Sequence, residues 1–145
     1  KIFLGNLNAY RDWGFAKDYV EAMWLILQQP KPDDFVLSSG QQHSIRDFVH
    51  EAFELCGFNI AWRGSGTDEV GFDKNTDRTL VEVNPSFFRP SEVDTLIGDS
   101  GKANNILNWH SKTPFKELVY LMVEADLKES GLDPKKFLKL CMVDR

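Results

Sequence analysis

A chain of 145 residues with 42% hydrophobic and 12% aromatic side chains carries enough apolar material for one folded domain with a real core. Its net charge of −5 and pI near 5.2 exclude the broad basic surface that nucleic acid or an anionic membrane requires, while leaving room for a local basic pocket around a small anion. No apolar run approaches the roughly 20 residues that span a bilayer, and the opening Lys1-Ile2-Phe3-Leu4-Gly5 has no signal-peptide layout and reads as a cut edge inside a strand.

Strand-like and helix-like stretches alternate, which predicts an α/β fold without internal repeats. Residues 1–6 read as a short strand and 8–14 as a polar, aromatic loop. Helical spacing over 15–29 puts Val20, Met23, Trp24 and Leu27 on one apolar face, and Pro30 and Pro32 end the run. Residues 34–38 form a compact strand candidate closed by Gly40. Ser44 is a good N-cap for a helix whose buried face is Phe48, Val49, Ala52, Phe53 and Cys56, with Gly57 as its stop. Residues 60–63 read as a strand, 64–78 as a mobile surface loop and 79–83 as a further strand. Asn84-Pro85 opens a turn. Ser100 is expected to cap a short helix ending near Leu107. Thr113 and Pro114 are the expected cap and first residue of a long helix burying Phe115, Leu118, Val119, Met122 and Ala125. Asp133-Pro134 starts a last helix around 135–142.

Arg11 and Arg89 are the candidates for chemistry. Each sits in a loop beside aromatic residues, and a guanidinium fork matches phosphate oxygens two at a time. Glu92, three residues beyond Arg89, is suited to accept hydrogen bonds from a ribose diol, and Asn6 offers an amide. Spacing alone leaves the plainer readings open: Arg11-Asp12 as a solvated or locally paired ion, and Arg89-Pro90 as a turn. His43, His50 and His110 are scattered without metal-ligand spacing and are expected at the surface or a helix edge. Asp33-Asp34 and Asp68-Glu69 read as solvated loop charges. Gly64-Ser65-Gly66 lacks the strand-turn-helix context of a phosphate loop. Trp13, Trp24, Trp62 and Trp109 read as core or interface residues. Cys56 and Cys141 lack metal or redox spacing and are expected as idle thiols, a usage that suits the cytoplasm.

The stretch Leu4-Gly5-Asn6-Leu7-Asn8-Ala9-Tyr10-Arg11-Asp12-Trp13-Gly14, continuing as Lys17-Asp18-Tyr19-Val20-Glu21-Ala22-Met23-Trp24, resembles a segment of the GDP-mannose 4,6-dehydratases. Arg89-Pro90-Ser91-Glu92-Val93-Asp94, Gly98-Asp99, Lys102-Ala103 and Leu107-Asn108-Trp109 resemble later motifs of that family in order and spacing. The family belongs to the extended short-chain dehydrogenases/reductases. The resemblance implies the C-terminal, substrate-binding portion of a Rossmann-type enzyme, with residues 1–130 binding GDP-mannose and 131–145 a helical tail. It implies a dehydratase that yields GDP-4-keto-6-deoxymannose for GDP-fucose synthesis, with NADP held mainly by an N-terminal domain absent from this sequence. A homo-oligomer is implied for the full-length protein. Arg11 and Arg89 would then bind the diphosphate, Glu92 a ribose hydroxyl, and Asn6 the nucleotide pocket. Neither a glycine-rich dinucleotide loop nor a Tyr-x-x-x-Lys pair occurs here, so no catalytic residue and no metal ligand is assigned. Asn8 and Phe15 replace the family's Asp and His. A related nucleotide-sugar epimerase or reductase and a non-catalytic binding module are the competing readings.

Overall fold

The elements alternate along the chain as β1 (Ile2–Leu4), β2 (Tyr10–Asp12), α1 (Ala16–Leu27), β3 (Gln42–Ser44), α2 (Ile45–Leu55), β4 (Ile60–Arg63), β5 (Val70–Asp73), β6 (Thr79–Val83), α3 (Gly101–Leu107), α4 (Phe115–Glu129) and α5 (Pro134–Phe137). A computed structural model describes residues 1–89, 93 and 95–138. The α/β expectation is met. Two compact units share these elements: residues 1–9, 44–94 and 119–145 make the first, and residues 10–43 and 95–118 the second.

In the first unit the sheet order is β1-β6-β5-β4. β1 runs parallel to β6, with Leu4 opposite Val83, and the other two pairings are antiparallel. Val49, Ile60, Leu80 and Val81 form the core, with Leu4, Ile45, Phe53 and Trp62 around them. Ser44 caps α2 as expected. Its hydroxyl accepts from the Asp47 N–H at 3.0 Å, and the Asp47 carboxylate accepts from the Ser44 N–H at 2.9 Å, a reciprocal capping box. Gly57 takes the left-handed conformation, φ 85°, that ends the helix.

The stretch 64–78 is not the expected mobile loop, because it contains β5 between β4 and β6. Its polar residues mislead: Glu69 and Asp73 are buried and bonded. Asp73 accepts from the N–H groups of Asn59 and Asn75 and from the Thr76 hydroxyl, and thereby builds the turn into β6. Gly71 is the second device, since a Cβ there would lie 2.9 Å from the Trp62 ring that crosses the strand. Likewise the 8–14 loop contains β2, which pairs with β3.

The second unit packs Ala22, Ala103, Leu107 and Trp109 against Tyr19, Leu25, Ile26, Phe35 and Leu37. Here the expected face of α1 is wrong. Val20, Met23, Trp24 and Leu27 are exposed, and Ala22 is fully buried. The small Ala22 and Ala103 let α1 and α3 approach closely, which selects that side of the helix. Residues 34–38 have no strand partner among the described residues, yet keep the period of two: Phe35 and Leu37 turn inward and Val36 outward.

Smaller departures follow the hydrogen bonds. Ser100 stands at the cap of α3, but the Asp99 carboxylate accepts from the Gly101 N–H instead. α4 begins one residue after Pro114, whose carbonyl accepts from the Leu118 N–H. Phe115, Leu118 and Val119 are buried, whereas Met122 and Ala125 are exposed. Asp133 caps α5 through the Lys135 N–H. Cys141 and the expected helix beyond residue 138 lie outside the described residues. No helix among the described residues is long and apolar enough to cross a membrane.

Candidate functional site

Two of the candidate loops leave the same end of the first unit's sheet. Asn6 follows β1 and Arg89 follows the parallel strand β6, each at the carboxyl end. The loops abut: the Leu4 carbonyl accepts from the Asn84 N–H at 2.8 Å, and a Cβ on Gly5 would lie 2.6 Å from the Phe87 carbonyl oxygen. Only glycine permits this approach. Gly5→Ala is therefore expected to cost about 1–2 kcal/mol of stability, read as a lower urea midpoint, because the backbone must move to admit the methyl.

Asn6 is half-buried, and its side-chain oxygen accepts from the Asn8 N–H at 2.9 Å. That bond engages the oxygen as an acceptor, and the amide nitrogen is the end that carries donors. Arg89 is exposed. Glu92 lies outside the described residues. The Asn6 turn is anchored by Arg46, a residue the sequence reading passed over. Its backbone N–H donates to the Leu7 carbonyl at 3.0 Å and its guanidinium to the Asn8 side-chain oxygen at 2.8 Å. Both guanidinium arms also meet the buried Glu69 carboxylate, at 2.5 and 2.9 Å, and the group lies 4.8 Å from the Trp62 ring centre. Glu69 is thus a buried ion-pair partner and not a solvated loop charge. Asn8, where the family carries Asp, still supplies an acceptor to Arg46.

Arg11 belongs to the second unit, half-buried on β2. One guanidinium nitrogen donates to the Tyr10 carbonyl at 2.7 Å. Tyr10 also bridges to Thr95, within the same unit. The next residue, Asp12, gathers four donors. One carboxylate oxygen accepts from the Ser39 N–H at 2.8 Å and hydroxyl at 2.6 Å, and the other from the N–H groups of Gly40 at 3.0 Å and Gly98 at 3.4 Å.

Other polar residues that the sequence singles out are held by packing and hydrogen bonds or lie exposed. Asp18 is buried and accepts from the N–H groups of Lys112 and Thr113, each at 2.9 Å, while its carbonyl accepts from the Trp109 indole. His43 is not the expected surface residue. Its ring stacks on Phe115 with centres 3.8 Å apart, and its carbonyl accepts from the Trp13 indole. It lines a cleft of about 130 Å³ with Trp13, Gln41 and Lys112. His50 and His110 are exposed, and Asp33 pairs with Lys102 at 2.6 Å. Cys56 is half-buried, and burial pushes its thiol pKa up. No group of three potential metal ligands occurs among the described residues.

The family described as GDP-mannose 4,6 dehydratase matches residues 1–122. The chain belongs to this family. Among GDP-mannose 4,6 dehydratases, it is 51% identical over 131 residues to that of Drosophila melanogaster, covering 90% of the chain and 33% of the relative. It is 50% identical to the human protein over 131 residues, with 90% and 35% covered. The chain thus spans about a third of the length of these curated relatives. The fold is that of the nucleotide-sugar epimerases and dehydratases. A UDP-glucose 4-epimerase from Thermotoga maritima solved with UDP-glucose superposes with TM-score 0.67 at 20% identity, over 90% of the chain and 36% of that structure. A dTDP-glucose 4,6-dehydratase from Bacillus anthracis in complex with NAD gives 0.66 at 15%, over 88% and 34%.

Proposed function

We propose that this chain is the C-terminal, nucleotide-sugar-binding portion of a cytoplasmic GDP-mannose 4,6-dehydratase, a homo-oligomeric lyase that converts GDP-mannose to GDP-4-keto-6-deoxymannose on the route to GDP-fucose. The observation that carries the reading is identity of about one half to GDP-mannose 4,6 dehydratases over nine-tenths of the chain. Arg11 and Arg89 bind the diphosphate, the donor end of Asn6 faces the nucleotide, and Glu92 accepts from the ribose. The two arginines neutralise the charge by bidentate hydrogen bonds, and Asn6 and Glu92 set orientation.

The reaction needs a hydride carrier, and NADP supplies that chemistry when bound. The residues present do not build its cradle. Gly64-Ser65-Gly66 leads into a 3-10 turn of three residues, Gly66–Asp68, whose few N–H groups cannot match a helix N-terminus. NADP is accordingly assigned to the family's dinucleotide-binding portion, whose motifs are not in this sequence.

Equilibrium titration of the intact protein with GDP and with UDP tests the assignment. GDP should bind at least about tenfold more tightly, the equivalent of one or two base-edge hydrogen bonds. Tighter binding of UDP would remove the guanine reading and favour a related epimerase.

A further inference from the structure

We infer that Asp12 is the positioning residue for Arg11, fixing the strand from which the guanidinium reaches the diphosphate; this rests on the reading of Arg11 as a diphosphate ligand. Asp12 joins three stretches that lie far apart in sequence: its own strand β2, residues 39–40, and Gly98. The site is shaped for this carboxylate. Gly40 has φ 73°, in the left-handed region, and presents its N–H to the second oxygen. A Cβ on Gly98 would lie 2.4 Å from the Ser38 Cβ, so its N–H reaches the carboxylate through a gap only glycine leaves.

Consecutive side chains on a strand point to opposite faces. Asp12 can therefore anchor one face of β2 while Arg11 serves the other. The residue on the far side is held as well. Tyr10 pairs with Thr95, and its carbonyl accepts from the Leu96 N–H and from Arg11 itself. With both neighbours fixed, Arg11 gives up little backbone freedom when a ligand binds, and that preorganisation adds to affinity.

Electrostatics alone makes the opposite prediction, which gives a clean test. A carboxylate beside a phosphate site repels the anion, so Asp12→Asn would tighten GDP binding if charge were its contribution. Positioning predicts weakening. In the intact protein, calorimetry with GDP and with guanosine should show Asp12→Asn weakening GDP about tenfold, the worth of one charge-assisted hydrogen bond, and leaving guanosine unchanged. In an Arg11→Ala background the same change should have no further effect.

Unchanged or tighter GDP binding by Asp12→Asn, where Arg11→Ala weakens it, overturns the inference. Equal losses for GDP and guanosine overturn it too, since they mark general structural damage. No effect of Arg11→Ala removes the diphosphate reading and this inference with it. Should Asp12→Asn fail to fold, Ser39→Ala deletes only the 2.6 Å hydroxyl bond and carries the same test. It should weaken GDP roughly two- to threefold and spare guanosine, and equal or no losses would overturn the inference.

Discussion

Arg89→Ala in the intact protein is expected to weaken GDP-mannose binding by about 1.5–3 kcal/mol, roughly 10- to 150-fold in Kd. The size follows from what a guanidinium does for a diphosphate. Two parallel N–H bonds reach phosphate oxygens in one plane, and no alanine-scale group or incoming water reproduces that fork. In this chain Arg89 is exposed, on the loop that Gly5 lets pack against the Asn6 turn. Its truncation should therefore leave stability nearly unchanged and act on the ligand, a split that separates a binding residue from a turn-forming one. Arg89→Lys keeps a charge but loses the fork, so it should recover part of the loss, leaving about 1 kcal/mol. Titration with GDP-mannose, with a thermal midpoint recorded for each variant, reads both effects. Unchanged affinity for Arg89→Ala would take the residue out of the site and return Arg89-Pro90 to the plain turn reading.

Several rules that act over a few residues were legible. The Ser44 cap, the Gly57 stop and strands β4 and β6 need only near neighbours, and they lie where spacing puts them. What spacing does not carry is the identity of the partner. Periodicity shows that α1 has an apolar side in Val20, Met23, Trp24 and Leu27, yet the unit buries Ala22, whose neighbours Tyr19, Leu25 and Ile26 pack against the cluster that holds Ala103. Polar composition likewise hides β5, since Glu69 and Asp73 look solvated until their partners are known, and those lie 23 residues away at Arg46 and 14 away at Asn59. The site shows the same division. Arg11 and Arg89 stand out as candidates by residue type, although the loop expected around Arg11 is strand β2. The carboxylate that braces Arg11 receives donors 27 and 86 residues distant, and no pattern within either segment announces them.

Asp18 is the residue whose loss should do most to the second unit. It lies in the first turn of α1 and gathers the chain that follows α3: N–H groups of Lys112 and Thr113, the Ser111 hydroxyl, and the Trp109 indole on its carbonyl. Asp18→Ala leaves the Trp109 bond to the backbone carbonyl but strands the Lys112, Thr113 and Ser111 donors beside that tryptophan, which is only 2% exposed, and should cost about 3 kcal/mol, a sum of unmet donors discounted for water entering the cleft. Asp18→Asn keeps an oxygen for those donors, which all reach the same carboxylate oxygen, but loses the charge that strengthens the bonds, and should cost about 2 kcal/mol. The pH dependence has a definite sign. Burial by itself would raise the Asp18 pKa, but the N–H groups of Thr113 and Lys112, with the Thr113 and Ser111 hydroxyls, outweigh it and hold the carboxyl below its ordinary 3.8. A folded pKa below the unfolded one means the contribution is complete above the ordinary carboxylate value. It is lost as pH falls through the folded value. Urea midpoints of the intact protein and of Asp18→Asn should therefore differ fully at pH 7 and converge as the medium is acidified below about pH 4. A gap that persists undiminished at acid pH would show that the network holds the unit by shape alone, and an absent gap at pH 7 would show that α1 is secured by the Ala22–Ala103 contact without it.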